Sequence, residues 1–376
     1  MADTLFDYIK WRGDLDMSRI PLSVEDQLIL STLVYVNFGP FIGDDDGITL
    51  GEAVRRVLKA GYDEKNYRVS KDFQLLEVIA KAPRYADLIV TDSIEHFDDG
   101  ISCQFYAFTI QLPTGELFVC YRGTDLTLAG WKEDFNMAFE DVVPSQADAL
   151  EYLIYVAGKY KGKKIIVSGH SKGGNLAVFA SANAPIYVKK RIIAIYNNDG
   201  PGFKEDSPTL RMLSSISDRL VTLVPTSSII GMLMDHTFEY TIVESNSISI
   251  FQHDPYSWEF DGPKFKYTDK RTQESMLLDR ISSEWLKTMS KDEREHLVDT
   301  IFTILGAGGL NDFRSYSKNL LQRKAEVIRL YREMTASEKA VLKKISRNFA
   351  RIAGRTIFGL DKNPDVEQKM LEDDYS

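Results

Sequence analysis

The sequence predicts an α/β fold, a mostly parallel central sheet flanked by helices, with a helical C-terminal appendage. Three observations predict it. Between residues 146 and 224, short apolar runs alternate with amphipathic stretches at the spacing of strand–helix–strand crossovers, which are right-handed and build parallel sheets. One of these runs, Ile165-Ile166-Val167-Ser168, passes directly into Gly169-His170-Ser171-Lys172-Gly173 and out into a helix-forming stretch. After about residue 268 the strand signals stop, and helical patterns continue to the end.

In chain order, Ser23 opens a periodic apolar helix reaching about residue 36, Thr49 caps a second over 50–58, and 71–81 adds a third. From residue 87 the period shortens to two. Runs 88–90, 101–112 and 116–121 read as strands, the last two joined by the Pro113-Thr114-Gly115 turn. The alternating part then reads as helix 146–160, strand 164–168, helix 174–184, strand 191–196, helix 209–217 and strand 220–224. Further strands are expected over 238–244 and 257–267, around the polar Ser245-Asn246-Ser247. In the appendage, Ser290 with Glu293 and Thr335 with Glu338 match the capping box that starts a helix. The acidic tail from Asp361 is expected to fray. The expected organisation is an N-terminal helical part, 1–86, packed on a core of 87–268, then a helical region, 269–376.

At 376 residues the chain suits one core domain with a smaller addition. A net charge of -9 argues against nonspecific nucleic-acid binding, and no nucleic-acid partner is expected. The two cysteines, Cys103 and Cys120, supply no disulfide framework and no metal cluster; they read as small buried hydrophobes on neighbouring strands. No cofactor or metal is expected. The N-terminus lacks the pattern of a signal peptide and no apolar run approaches a bilayer span, so the expected location is cytoplasmic and membrane contact is not expected. Val341, Leu342, Ile345, Phe349 and Ile352 form one stripe of a basic helix, which reads as packing on the domain or on a second subunit rather than lying on lipid. The oligomeric state stays open.

A serine hydroxyl is a poor nucleophile in water, so a chain that uses one presents it on a sharp turn, within reach of a base and of backbone donors. Gly169-His170-Ser171-Lys172-Gly173 is such an elbow, with Ser171 at its tip and glycines leaving room for the turn. The order serine, acid, histidine restricts the base to histidines after Ser171. His253, in the irregular Ile250-Phe251-Gln252-His253-Asp254-Pro255, is assigned that role, with His236 as the alternative. His170 is expected to point into the scaffold, and His296 to face solvent from the appendage. Asp199 is the assigned acid, because strand 191–196 runs into Asn197-Asn198-Asp199-Gly200-Pro201; Asp235 is its rival, and Asp254 lies too close to His253. The oxyanion donors are the backbone N–H of Lys172 and Thr124, the latter freed by Gly123 after strand 116–121. The aromatic segment 126–143, with Trp131, Phe135 and Phe139, reads as core in preference to a lid or acyl-pocket wall.

Tyr121-Arg122-Gly123-Thr124, with Trp131 and Asp134 downstream, followed by Gly169-His170-Ser171-Lys172-Gly173-Gly174-Asn175-Leu176-Ala177, resembles the class 3 lipases of the α/β-hydrolase superfamily over about residues 87–255. Adding Trp11-Arg12-Gly13-Asp14-Leu15, Asp199-Gly200-Pro201-Gly202-Phe203 and Gln252-His253-Asp254-Pro255, the chain more closely resembles a bacterial family of lipase-like proteins. The resemblance implies an α/β-hydrolase fold, esterase or lipase chemistry, Ser171 as nucleophile, His253 as base, and Thr124 with Lys172 as oxyanion donors. One departure concerns the acid. Class 3 lipases place it after the next strand, but here Val224-Pro225-Thr226-Ser227-Ser228-Ile229-Ile230 holds no carboxylate. Asp199 would sit one strand earlier, which resembles the animal pancreatic lipases. The expected function is therefore a serine hydrolase cleaving small-molecule or lipid esters through an acyl-enzyme on Ser171. The rival is a catalytically silent scaffold that serves as an interaction protein.

Overall fold

The β-branched and aromatic runs form eleven strands among the described residues: β1 (Ile48–Thr49), β2 (Ile89–Asp98), β3 (Cys103–Gln111), β4 (Leu117–Tyr121), β5 (Ile165–His170), β6 (Ile192–Asn198), β7 (Leu220–Pro225), β8 (Thr241–Val243), β9 (Phe260–Asp261), β10 (Lys264–Phe265) and β11 (Tyr267–Thr268). The computed structural model describes residues 3–42, 47–61, 67–125, 128–232, 234, 239–306, 329, 332 and 334–358. Nine strands form one sheet in the order β1-β2-β3-β4-β5-β6-β7-β8-β11. Neighbours from β4 to β8 run parallel, and the pairs outside them are antiparallel. The central parallel strands β4 and β5 are buried on both faces, as crossover helices require, with every residue buried.

Two apolar layers hold the sheet. One face packs against the N-terminal helices, with Leu28, Leu33, Leu76 and Tyr85 in a common cluster with Phe108 and Phe118. The other carries the helices Pro144–Lys159 and Lys172–Asn183, whose Leu153, Val156, Leu176 and Val178 meet Val119 and Val167. The N-terminal layer is pinned by a fully buried bidentate pair, Arg84 Nε and Nη2 on the two Asp26 oxygens at 2.9 and 2.5 Å. The remaining guanidinium hydrogens go to the carbonyls of Leu15, Ile20 and Pro21, so no buried donor is stranded.

One compact unit extends from the N-terminus to Arg271, and a second begins at Thr272. In the second, Trp285 Nε1 donates to the Ile345 carbonyl at 3.1 Å and its ring meets Phe349 edge-on, with centroids 5.1 Å apart. Of the stripe, Ile345 and Ile352 are buried and Phe349 is exposed, and its contacts are with Trp285 of the helix Gln273–Lys287 in the same unit. The Ser290–Glu293 capping box forms in both directions, at 3.0 and 3.2 Å. His296 is half-buried rather than turned to solvent. No helix among the described residues is long and apolar enough to cross a membrane.

Several expected bounds change. β2 continues to Asp98, eight residues past the apolar 88–90, because register pairing with β3 carries it where burial falls away and even Ile94 and Phe97 are exposed. The 209–217 helix stops at Met212, and its remainder winds into two 3-10 turns. The 238–244 strand narrows to Thr241–Val243, and 257–267 breaks into β9, β10 and the start of β11 around Gly262 at φ +57.

Candidate active site

The carboxyl ends of β4, β5, β6 and β7 bring the singled-out residues to one edge of the sheet. At the end of β5 the chain turns so sharply that Ser171 takes φ 60 and ψ -134, a conformation costing about 1–3 kcal/mol that only a determined surrounding sustains. The surrounding is close backbone packing. A Cβ on Gly169 would lie 2.1 Å from the Gly173 carbonyl oxygen, and one on Gly173 would lie 2.2 Å from that of Tyr121. The backbone N–H of Ser171 donates to Asn198 O on β6 at 2.9 Å. Below the turn, Ser31 and Gln27 from the helix Val24–Leu33 bond Ser168 and Asn198, fixing β5 to β6 through a buried polar network.

Asp199 follows β6 directly and is fully buried at φ 51. Its Oδ2 accepts from His253 Nδ1 at 2.6 Å, and its Oδ1 accepts from Ser228 Oγ at 2.5 Å. Both oxygens are thereby fixed. The loop that holds it is clamped by Asn175 Nδ2, which donates to the carbonyls of Pro201 and Gly202. Gly231 must be glycine at this point, since an added Cβ would stand 2.1 Å from Asp199 Oδ1. His253 ends the 3-10 turn Ser249–His253, and its neighbour Gln252 anchors that turn by accepting from Ser227 N and Thr226 Oγ1.

With Nδ1–H given to Asp199, the His253 Nε2 is the basic nitrogen, and it has no hydrogen-bond partner among the described residues. No hydrogen bond joins it to Ser171 Oγ among the described residues. His170 lies against it, ring centroids 4.6 Å apart, and its Nε2–H donates to the His253 carbonyl at 2.8 Å. Tyr35 Oη completes the chain by donating to His170 Nδ1 at 2.8 Å. Burial, with the His253 charge beside it, pushes the His170 imidazole well below its ordinary range. A neutral His170 therefore supports His253 without opposing a positive charge there.

On the other side, Gly123 lets β4 approach the turn: a Cβ there would fall 2.2 Å from Tyr35 Oη and 3.0 Å from Ser171 Cβ. Neither the Thr124 nor the Lys172 backbone N–H has a partner among the described residues. Lys172 N–H also heads the helix Lys172–Asn183, where the macrodipole favours negative charge. The Lys172 side chain is fully buried, with Nζ on Glu133 Oε2 at 2.8 Å and on the Gln104 carbonyl at 2.7 Å. Glu133 in turn accepts from the backbone of Gln104 and Ser145, so it ties the helix Leu128–Asn136 to β3. Thr124 Oγ1 donates to Asp134 Oδ2 at 2.5 Å. A cavity of about 400 Å³ is lined by Tyr35, Phe41, Arg68, Glu95, Arg122 and Asp125, and none of Ser171, Thr124, Lys172, Asp199 or His253 is on its wall.

Burial pushes the Asp134 carboxyl up to about 7, against the opposing Lys172 charge and Thr124 hydrogen bond. Its Oδ1 has no partner among the described residues. Because the folded value exceeds the unfolded one, the native state binds the extra proton between them. The stability this supplies is present below the unfolded carboxylate range and is lost as pH rises through about 7. Denaturant midpoints taken at about pH 5 and about pH 8 should fall more for the native chain than for Asp134→Asn. Equal falls would show that this carboxyl does not titrate in that window.

Ser171, Asp199, His253, Thr124 and Lys172 are thus brought to one sheet edge, with His253 and Asp199 in contact. The rivals Asp235 and His236 lie outside the described residues, as does the side chain of Trp131. In the 126–143 segment, Met137, Phe139 and Val143 are buried while Phe135 and Val142 are exposed. Ser228, Tyr35, His170 and Glu133 are the supporting residues that sequence reasoning missed or left without a partner. A Ser-rich stretch in the place of a carboxylate, 226–228, was the available signal for Ser228.

The parallel sheet with its strand–turn–helix at Ser171 defines a lipase-like α/β-hydrolase fold. The chain belongs to the Mbeg1-like family, whose model matches residues 79–303. No curated protein sequence matches it. Among solved structures it is similar to M37 lipase, at 18% identity over 56% of this chain and 69% of the other, with a TM-score of 0.36. It is also similar to the lipase of Rhizopus microsporus var. chinensis, at 15% identity, 73% and 84% coverage and a TM-score of 0.36. The mono- and diacylglycerol lipase of Aspergillus oryzae shares 14% identity over 67% of this chain and 88% of its own, with a TM-score of 0.39.

Proposed function

We propose that the protein is a serine hydrolase of carboxylic esters, acting on a small-molecule or lipid ester through an acyl-enzyme on Ser171. The observation that carries this reading is the bond from His253 Nδ1 to the buried, doubly bonded Asp199, at the same sheet edge as a serine held at positive φ. In this reading His253 Nε2 takes the hydroxyl proton as Ser171 Oγ attacks the ester carbonyl carbon. The oxyanion is held by the N–H groups of Thr124 and Lys172. The tetrahedral intermediate collapses, and the alcohol leaves with the proton that His253 held. Water then repeats the sequence on the acyl-enzyme, releasing the acid and restoring Ser171.

Asp199 fixes the imidazole tautomer and stabilises the imidazolium, while His170 and Tyr35 act as positioning residues through the His253 backbone. An apolar acyl group fits the surroundings, since Ile248 and Phe251 on the His253 turn are 76% and 68% exposed. The Mbeg1-like, lipase-like membership supports the same class. The experiment is turnover of nitrophenyl esters graded from acetyl to long acyl chains. Hydrolysis by the folded chain supports the reading, and no hydrolysis of any member contradicts it.

A further inference from the structure

The β2–β3 hairpin and the helix Pro144–Lys159 gather three side chains that the proposed hydrolysis does not use. Cys103 pairs in register with Asp98, which makes His96, two residues earlier on β2, its diagonal neighbour on the same face. Asp148, from the helix, completes the group. His96 Nδ1 lies 2.7 Å from Asp148 Oδ2, Cys103 Sγ lies 3.4 Å from the same oxygen, and Sγ lies 3.7 Å from Nδ1.

These three separations can be compared with the edges of a tetrahedral zinc site. Bonds of about 2.3 Å to sulfur, about 2.05 Å to nitrogen and about 2.0 Å to oxygen give edges of about 3.6 Å for S···N, about 3.5 Å for S···O and about 3.3 Å for N···O. Both sulfur edges already match. The nitrogen–oxygen edge is short because a proton bridges it, and a cation taking that proton's place needs to widen it by about 0.6 Å.

We propose that His96 Nδ1, Cys103 Sγ and Asp148 Oδ2 bind a borderline-soft divalent cation of the Zn2+ class, leaving a fourth position for water. The ligand set selects the class, since thiolate with imidazole favours zinc-like ions and disfavours Mg2+ and Ca2+, which prefer all-oxygen shells. Entry lies on the solvent side, where the His96 side chain is 43% exposed. Binding converts the thiol to thiolate and releases its proton to solvent, and it clamps the hairpin to the helix. The count of two cysteines hid this site, because its other ligands are a histidine and an aspartate from two further segments.

The test is a titration of the purified full chain with Co2+, a spectroscopic stand-in for Zn2+. One equivalent should give a thiolate-to-cobalt charge-transfer band with tetrahedral visible bands, bleached by added Zn2+. Cys103→Ser should abolish the charge-transfer band, and Cys120→Ser should keep it. His96→Gln, at a side chain 43% exposed, should weaken Zn2+ binding by at least about tenfold, with a far-ultraviolet spectrum like that of the native chain. A folded chain that gives no charge-transfer band, a band that survives Cys103→Ser, or Zn2+ affinity unchanged in His96→Gln overturns the proposal. The ester-hydrolysis reading is untouched by any of these results.

Discussion

Ser171→Ala is expected to lower kcat for short nitrophenyl esters by roughly 10⁴–10⁶. The size follows from the chemistry: with Oγ gone no acyl-enzyme forms, and the oxyanion donors and binding alone leave a small residual rate. The fold should be unaffected. Ser171 Oγ makes no hydrogen bond among the described residues, and alanine occupies the same positive φ at a similar cost. Thermal unfolding should therefore match the native chain within a few degrees, by about the shift of a sub-kcal/mol change. Turnover close to the native rate in a folded Ser171→Ala would remove Ser171 from the mechanism.

Asp199→Asn should depress kcat by about 10⁴ with little change in KM. An amide in place of the carboxylate presents a donor to His253 Nδ1, which turns the imidazole to the tautomer with its proton on Nε2. That nitrogen can no longer accept from Ser171. Ser228 Oγ retains its bond to the remaining carbonyl oxygen, so the side chain stays in place and the loss reports on proton chemistry. The control is Asp235→Asn. A near-native Asp199→Asn beside an inactive Asp235→Asn would move the acid to the later position and leave Asp199 as a turn residue.

Much of the sheet is legible because its central strands are short apolar runs bounded by turn residues, and their ends mark the edge where side chains converge. Gly169 and Gly173 announce the elbow, and the end of β6 announces Asp199. What escapes sequence reading depends on contacts distant in the chain. The Tyr35–His170 bond spans 135 residues, and Gln27 reaches Asn198 across 171, with no periodic pattern linking them. The Lys172 side chain is paired with Glu133, 39 residues away, and fully buried with it, a partner that the elbow motif does not name. β2 outruns its apolar run because strand pairing, not burial, carries its second half. The His96, Cys103 and Asp148 group has the same origin, since its register neighbours and helix partner meet only in the folded sheet.

The central claim is that Ser171 is an activated nucleophile and not merely the tip of a tight turn. The most direct measurement is the intact mass of the full chain after reaction with a fluorophosphonate, followed by peptide mapping of the adduct. The account predicts a single phosphonate on Ser171, absent from Ser171→Ala and formed far more slowly in His253→Ala. A folded chain that takes up no phosphonate, or carries it on another residue, would contradict the account and favour a silent scaffold.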